Sequence, residues 1–478
     1  MTFDVLEVKK TLTTEEEQQK DKRNIVLSSS ITNKTEELKS VRSQELEEGR
    51  PVAMYEMAQN QVDNSVGGKP QILLTINGID KVFSGKSREL NGVEEEIEAV
   101  KFVTFGEGMS PNDVVLFLHN DDGREKLGIN GRGGSIAFAY YVSSGMDVHI
   151  KSNRGGMAYE GDVKMVDVED KPGIQKMVFE YHETGRIWNE EERITTIEVK
   201  NPNDLFINSL ENLPKIFLLA NPNYYGAKLV EPNKDAAKPA EKIVVFEKEG
   251  KKVIVECLLD LPEERERWNF GSRSLMIGGL KVESNYSEKF YLPWSIWGGE
   301  SLDRGNGRVK RSSDSSKAEG EYCMAIEKFL KMTSSEKILE KILEVNERYT
   351  QKEIDYNYQP MELGLGYSDE KFSKKTIGVM KKVLTKRYGN KLPIIVNSDW
   401  EQEECEKRYG GSEKILRIRS PFLESLLLDV GCEKYSKIVG NQEVETSGTL
   451  DIRLIDEKKA IGYLAELIEK RNFESVFI

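Results

Sequence analysis

One short segment constrains this chain more than any other. Pro51 sits where a helix can begin, and Gly67-Gly68 where one must end. Residues 50–66 are therefore expected to form a helix, with Ala53, Met54, Met57, Ala58 and Val62 available for packing. Glu56, Asn60 and Asp63 are spaced four and three apart, so they share another face. Most charged helix faces are simply solvated. A carboxylate, an amide and a second carboxylate in that register become informative only through the segments downstream of them in the chain.

The chain has 478 residues, more than one hydrophobic core usually organises, so several domains are expected. Its net charge of −13 favours solubility and argues against a nonspecific nucleic-acid coat, though not against a local basic groove. The four cysteines, Cys257, Cys323, Cys405 and Cys432, are far apart and form no CxxC pair. They read as reduced, buried thiols rather than a zinc site or a disulfide framework. The opening MTFDVLEVKK has no apolar signal region, and no stretch approaches the length of a membrane span. An intracellular, cytoplasmic protein with no membrane partner is the expectation.

Composition divides the chain into a polar N-terminal arm (1–48), a first domain (49–220), a second α/β domain (240–330) and a C-terminal α/β interaction domain (335–478). In the first domain QILLTING and EAVKFVTF read as strands, and the second of these runs into a glycine loop. Ser110-Pro111-Asn112-Asp113 reads as a capping box that opens a short helix. LGINGRGGSIAFAYYVSSG is a glycine-rich turn opening another helix. DVHIKSN, KMVFEYHE and RITTIEVKN read as successive strands, with turns at Arg154-Gly155-Gly156 and Thr184-Gly185. Residues 221–241, rich in Asn, Pro, Ala and Lys, read as a linker or domain edge. A hairpin, IVVFEKEGKKVIVECLL, opens the second domain, where Trp268, Trp294 and Trp297 are expected in the core. Residues 305–320 read as a loop. Beyond 335, helices and strands alternate to the end, with TLDIRLID and KKAIGYLAELIEKR as the final pair.

Two glycine segments carry candidate chemistry. GEG at 106–108 follows a strand, and G-I-N-G-R-G at 128–133 precedes a helix. Glycine permits close backbone approach and positive φ, and a helix N-terminus offers unpaired N–H groups to an anion. Neither segment is a P-loop. Their order is more specific than either alone. A helix with E-x-x-x-N-x-x-D comes first, then a strand ending in GEGM, a short helix, GxxGxG before a helix, and a strand carrying T-T-I-E-V.

This order, over about residues 50–200, resembles the GHKL superfamily of ATP-binding proteins, which includes gyrase, the heat-shock-90 chaperones, sensor histidine kinases and the MutL repair proteins. The resemblance implies a Bergerat-type two-layer α/β sandwich (α+β) with a mixed sheet, followed by further α/β domains. It implies ATP and Mg²⁺ as ligands. Glu56 would be the general base that orients water, and Asn60 would hold Mg²⁺. Asp63, Gly106, Gly108, Met109 and Thr195 would shape the adenine pocket. Residues 110–127 would form a lid, Lys126 would meet a phosphate, and Gly128, Gly131, Arg132 and Gly133 would line the phosphate cradle. Arg308, Lys310 or Arg311 in the second domain would approach the γ-phosphate. Slow ATP hydrolysis coupled to lid closure and homodimerisation, with a protein client or DNA as partner, is what the layout implies.

The sequence departs from the family where an Asp accepts the adenine amino group. That position is Thr104, a neutral acceptor. Hydrogen bonds to charged groups contribute ~1.5–3 kcal/mol against ~0.5–1.5 for neutral ones, so affinity would fall roughly tenfold. Ile194, where the family often has glycine, is a minor departure. His119, His149 and His182 are expected to be structural, and none lies in an upstream phospho-acceptor helix. The segment 371–391 carries eight positive charges and no acid, with Phe372, Ile377, Met380 and Leu384 as an apolar stripe. An alternative reading stays open: a non-catalytic nucleotide-sensing scaffold or nucleic-acid clamp, with an altered pocket at Thr104 and the basic helix contacting DNA or RNA.

Overall fold

A computed structural model of the chain describes residues 25–32, 39, 41–42, 52–65, 69–85, 96–106, 108–115, 133–154, 157–169, 171–172, 174–185, 194–248, 250–259, 261, 275–282, 293–298, 316–350, 370–411, 414–418 and 420–439. The fold is mixed α+β, and the chain divides into two compact units, Met1–Met380 and Lys381–Ile478.

The first unit begins with strand β1 (Ile25–Thr32), inside the polar arm, and helix α1 (Val52–Asn64), within the expected 50–66. Next come β2 (Gln71–Ile76), β3 (Ile79–Val82), β4 (Ile97–Phe105), the short α2 (Pro111–Val115) and α3 (Gly133–Ser143). Strands β5 (Asp147–Arg154), β6 (Met157–Asp167), β7 (Gln175–Gly185) and β8 (Ile194–Lys200) lead into α4 (Asp204–Ile216). The eight strands form one sheet in the order β1-β7-β6-β5-β8-β4-β2-β3. Every pairing in it is antiparallel. The mixed pairing expected for this sheet is found instead in the second one. Strand β6, MAYEGDVKMVD, lies between DVHIKSN and KMVFEYHE, where the sequence pattern signals no strand.

The pleat sorts the side chains by period two. On one face Val148 and Ile150 of β5 stand beside Val199 and Ile197 of β8, which stand beside Val100 and Phe102 of β4. All six are buried, and α1, α3 and α4 pack over them as the second layer. Phe206 of α4 meets Phe102 edge-on at 6.4 Å, and Tyr141 of α3 at 5.0 Å. The opposite face is a ladder of charges. Lys101 pairs with Asp80 at 2.8 Å and Glu198 at 3.6 Å, His149 with Asp162 at 2.8 Å, and Lys151 with Glu160 at 3.2 Å. His149 and His182 both belong to this ladder, His182 through Glu160, as their structural reading expects; His119 lies outside the described residues.

Residues 221–241, expected as a linker or domain edge, contribute buried side chains to the core. Tyr224, Leu229, Val230 and Ala237 are buried, and the Tyr224 hydroxyl donates to the buried Glu256 carboxylate at 2.9 Å. Strands β9 (Glu241–Lys248), β10 (Lys251–Cys257), β11 (Leu275–Ile277), β12 (Leu280–Val282) and β13 (Trp294–Trp297) form the second sheet. Its order is β12-β11-β13-β10-β9, with β11 and β13 parallel and the other pairs antiparallel. Helix α5 (Ser316–Met332) begins inside the expected loop, and α6 (Glu336–Thr350) comes next. Trp294 is buried edge-on against Phe329 of α5 at 5.0 Å, while Trp297 packs against the first core. Trp268 lies outside the described residues, as do Arg308, Lys310, Arg311 and the final strand–helix pair.

Helix α7 (Lys374–Tyr388) crosses the boundary between the units. The second unit continues with β14 (Ile394–Val396), α8 (Asp399–Tyr409), β15 (Ile415–Arg417) and α9 (Pro421–Val430). β14 and β15 pair in parallel, and α8 supplies the crossover that a parallel pair requires. All four cysteines are buried, and none forms a disulfide. Among the described residues no helix is long and apolar enough to cross a membrane.

Phe102 is fully buried where sheet and helix layer meet. Phe102→Ala is expected to lower stability by about 3–5 kcal/mol, read as a shift of the denaturant midpoint without loss of the folded baseline.

Candidate functional site

At one end of the apolar face the residue type changes. Two positions beyond Ile150, Ile197 and Phe102 along their strands, the same face carries Ser152, Thr195 and Thr104. Tyr159 of β6 lies opposite Ser152, and Thr195 lies opposite Thr104. Four adjacent strands thus present Tyr159, Ser152, Thr195 and Thr104 as one rung of hydroxyls, and all four residues are buried. Ser152 Oγ and Thr195 Oγ1 are 2.6 Å apart and hydrogen-bonded. Thr104 Oγ1 makes no hydrogen bond with another described residue. Burial pushes the Tyr159 phenol well above its ordinary pKa, with its bond toward Ser152 opposing, so the hydroxyl stays protonated.

The loop after β4 is fastened over this rung. Met109 N–H donates to Ser152 Oγ at 2.8 Å, and the Met109 carbonyl accepts from the Tyr159 hydroxyl. Gly108 has φ of +79°, and a Cβ there would lie 1.9 Å from the Asn153 carbonyl oxygen. Only glycine fits so close to that strand with that backbone. Immediately after the loop, Ser110 and Asp113 cap α2 reciprocally. Ser110 N–H donates to Asp113 Oδ2 at 2.7 Å, and Asp113 N–H to Ser110 Oγ at 3.3 Å. Arg154, at the end of β5, forms an ion pair with Asp113. The expected capping box is present, and it is tied to the sheet.

Helix α1 is held in rotation by Gln61, a residue that belongs to none of the sequence motifs. Gln61 is buried, and its Nε2 donates to the carbonyls of Gln71 at 2.9 Å and Val103 at 3.2 Å. With Gln61 and the apolar side chains turned inward, Glu56, Asn60 and Asp63 are left half-buried on another face. Asp63 accepts a long bond from Gln59 Nε2 at 3.4 Å. The Asn60 side-chain amide lies against the start of α3, where a Cβ on Gly134 would come within 2.8 Å of it. The amide makes no hydrogen bond with another described residue. Helices α1 and α3 also pack along their lengths.

The structure therefore joins several of the candidates from sequence. Thr104, Gly106, Gly108 and Met109 line the end of β4, Thr195 faces Thr104, and Asn60 meets the opening of α3. Gly133 is the first residue of α3. Lys126, Gly128, Gly131 and Arg132 lie outside the described residues, as does the expected lid beyond residue 115. Ser152, Tyr159, Gln61 and Gly134 are not legible as site residues from sequence. The one available signal is the period-two position of Ser152, which follows Val148 and Ile150 on one face of β5. Among the described residues no three His, Cys, Asp or Glu side chains converge as a metal centre. Neither a protein-family model nor a curated protein sequence matches the chain.

Ser152 is the joint between loop and rung. Ser152→Ala removes partners from Met109 N–H and from Thr195, and is expected to destabilise by about 1–3 kcal/mol. Faster hydrogen exchange at the Met109 amide would report that the loop has come loose.

Proposed function

We propose that the first unit binds ATP with Mg²⁺ and hydrolyses it slowly, in the manner of the GHKL superfamily. One observation carries the reading: the free Asn60 amide lies at the N-terminus of α3, the helix opened by the glycine segment. A helix N-terminus attracts anions through its unpaired N–H groups and its dipole. Asn60 Nδ2 is the amide atom nearest Gly134, and Asn60 Oδ1 would be a hard donor suited to a cation that also takes phosphate oxygens and water. The residues present thus fit a magnesium nucleotide.

The hydroxyl rung fits the base end of the same ligand. Thr104 offers a free oxygen to an exocyclic amino group. Thr195, already bonded to Ser152, is held in one orientation for a direct or water-mediated contact. Met109 and the Gly108 backbone would close one side of the base, fixed by Ser152 and Tyr159. Asp63 extends the polar face of α1 toward this end.

For turnover, Glu56 lies one helical turn before Asn60 on the same face. There it would accept a hydrogen bond from the attacking water and hold it in line. Bound Mg²⁺ would supply charge neutralisation between phosphate oxygens, and positioning would supply most of the remaining acceleration.

Calorimetry with ATP, GTP and ADP in the presence of Mg²⁺ tests the site. Micromolar ATP binding is expected, and Asn60→Ala should abolish it. Glu56→Ala should leave binding intact and remove Mg²⁺-dependent phosphate release. No nucleotide binding by the wild-type protein would overturn the reading.

Thr104 makes a separate expectation about selectivity. Thr104→Asp restores a charged acceptor and should tighten ATP binding roughly tenfold, with no gain for GTP. An equal change for both nucleotides would remove Thr104 from the base contact.

A further inference from the structure

Helix α7 lies outside the nucleotide reading and is not explained by it. From Lys371 to Lys391 the chain carries eight Lys and Arg and no acid, in a protein of net charge −13. The apolar side of the helix is used up by packing: Thr376, Met380, Val383 and Leu384 are buried. Its first turn is fastened as well. Ser373 N–H donates to the Lys331 carbonyl at 2.8 Å, and Thr376 Oγ1 lies 2.8 Å from the carbonyls of Lys331 and Thr333. The exposed side holds Lys374, Lys375, Gly378, Lys381 and Lys382. Positions three and four residues either side of a helical residue are its surface neighbours. Gly378 therefore sits at the centre of four lysines. None of the four forms an ion pair with a described residue.

Gly378 has no packing reason to be glycine. Its φ is not positive, and a Cβ there would meet nothing within 4 Å. Glycine in mid-helix weakens the helix relative to alanine. What it offers is an open path to the helix backbone between two rows of cations.

We propose that this face of α7 docks the sugar–phosphate backbone of a nucleic acid, with a phosphate seated over Gly378 between the lysine rows. Lys374 and Lys381 are seven residues apart, about 10 Å along the helix, and Lys375 and Lys382 repeat the spacing alongside. Lysines act as point charges toward phosphate and carry little base discrimination, so backbone contact without sequence preference is the expected mode. A bilayer surface is disfavoured because the apolar stripe that would enter it is already buried. The assignment is independent of the ATP reading and rests on one continuous helix.

The test uses the full-length protein with short fluorescein-labelled DNA duplex and RNA of the same sequence, monitored by anisotropy over a salt series. Binding to one or both that weakens with salt is expected. Lys381→Gln/Lys382→Gln should weaken it about tenfold or more at low salt. It should also reduce the slope of log affinity against log salt by about 1.8, one increment of ~0.9 per lost phosphate contact. Lys381→Arg/Lys382→Arg should restore binding. Gly378→Gln should weaken binding while leaving the thermal midpoint unchanged or higher, an outcome that a purely structural role does not give. The proposal is overturned by absence of salt-dependent binding to either nucleic acid, or by an unchanged slope in the Gln pair. Tighter binding to anionic phospholipid vesicles than to nucleic acid would also overturn it.

Discussion

The pleat of the eight-stranded sheet is the constraint on which the rest of the first unit depends. Because successive side chains alternate, one register assigns Val100, Phe102 and Thr104 to the same side as Val199, Ile197 and Thr195. A slip of one residue would send Lys101 and Glu198 into the helix layer and Phe102 into water. The charge ladder on the far face and the apolar contact under α1, α3 and α4 are therefore one decision. They specify each other, and together they bring the hydroxyl rung to the edge of the core without any separate device.

That placement has a further consequence at the boundary between apolar and polar. A buried hydroxyl needs a partner. Ser152 has two, Thr195 and the Met109 amide, and Tyr159 donates to the Met109 carbonyl. Satisfying the rung thus also fixes the loop after β4, because both backbone groups of Met109 are consumed in doing so. Thr104 alone has a hydroxyl not used by the described residues. Gln61 performs the matching task on the helix layer. By binding the Gln71 and Val103 carbonyls it sets the rotation of α1 about its axis, and so decides where Asn60 points.

The sequence is legible where periodicity and punctuation agree. Helix α1 has Pro51 before it and Gly67-Gly68 after it; β8 alternates cleanly from Thr195 to Lys200; Ser110 and Asp113 stand at capping distance. It is less legible where the signal is set by tertiary pairing. Strand β6 carries Gly161 and several charged residues, and only its position between β5 and β7 explains them. Helix α8 is mostly charged, with Cys405 as its one buried residue. The packed loop at 221–240 has the composition of a linker, yet Leu229 and Val230 find the core. The glycine segment shows the limit most directly. The spacing GxxGxG draws attention to Gly133 and passes over Gly134, which lies against Asn60, since contact depends on the phase of α3 relative to α1.

The two candidate surfaces differ in how the fold produces them. The face of α1 is polar because Gln61 and the apolar residues claim the other directions, and its chemistry comes from what α3 brings beside it. The face of α7 owes nothing to a neighbour. Its lysines are exposed because Met380, Val383 and Leu384 take the buried side, and its bare centre is a choice of residue that packing does not impose. Where a helix keeps a glycine that its surroundings would let it replace, local stability has been given up at that position. On α7 the position given up is the one that four like charges surround. Repulsion among those charges is relieved by an anion, and the missing side chain leaves room for one.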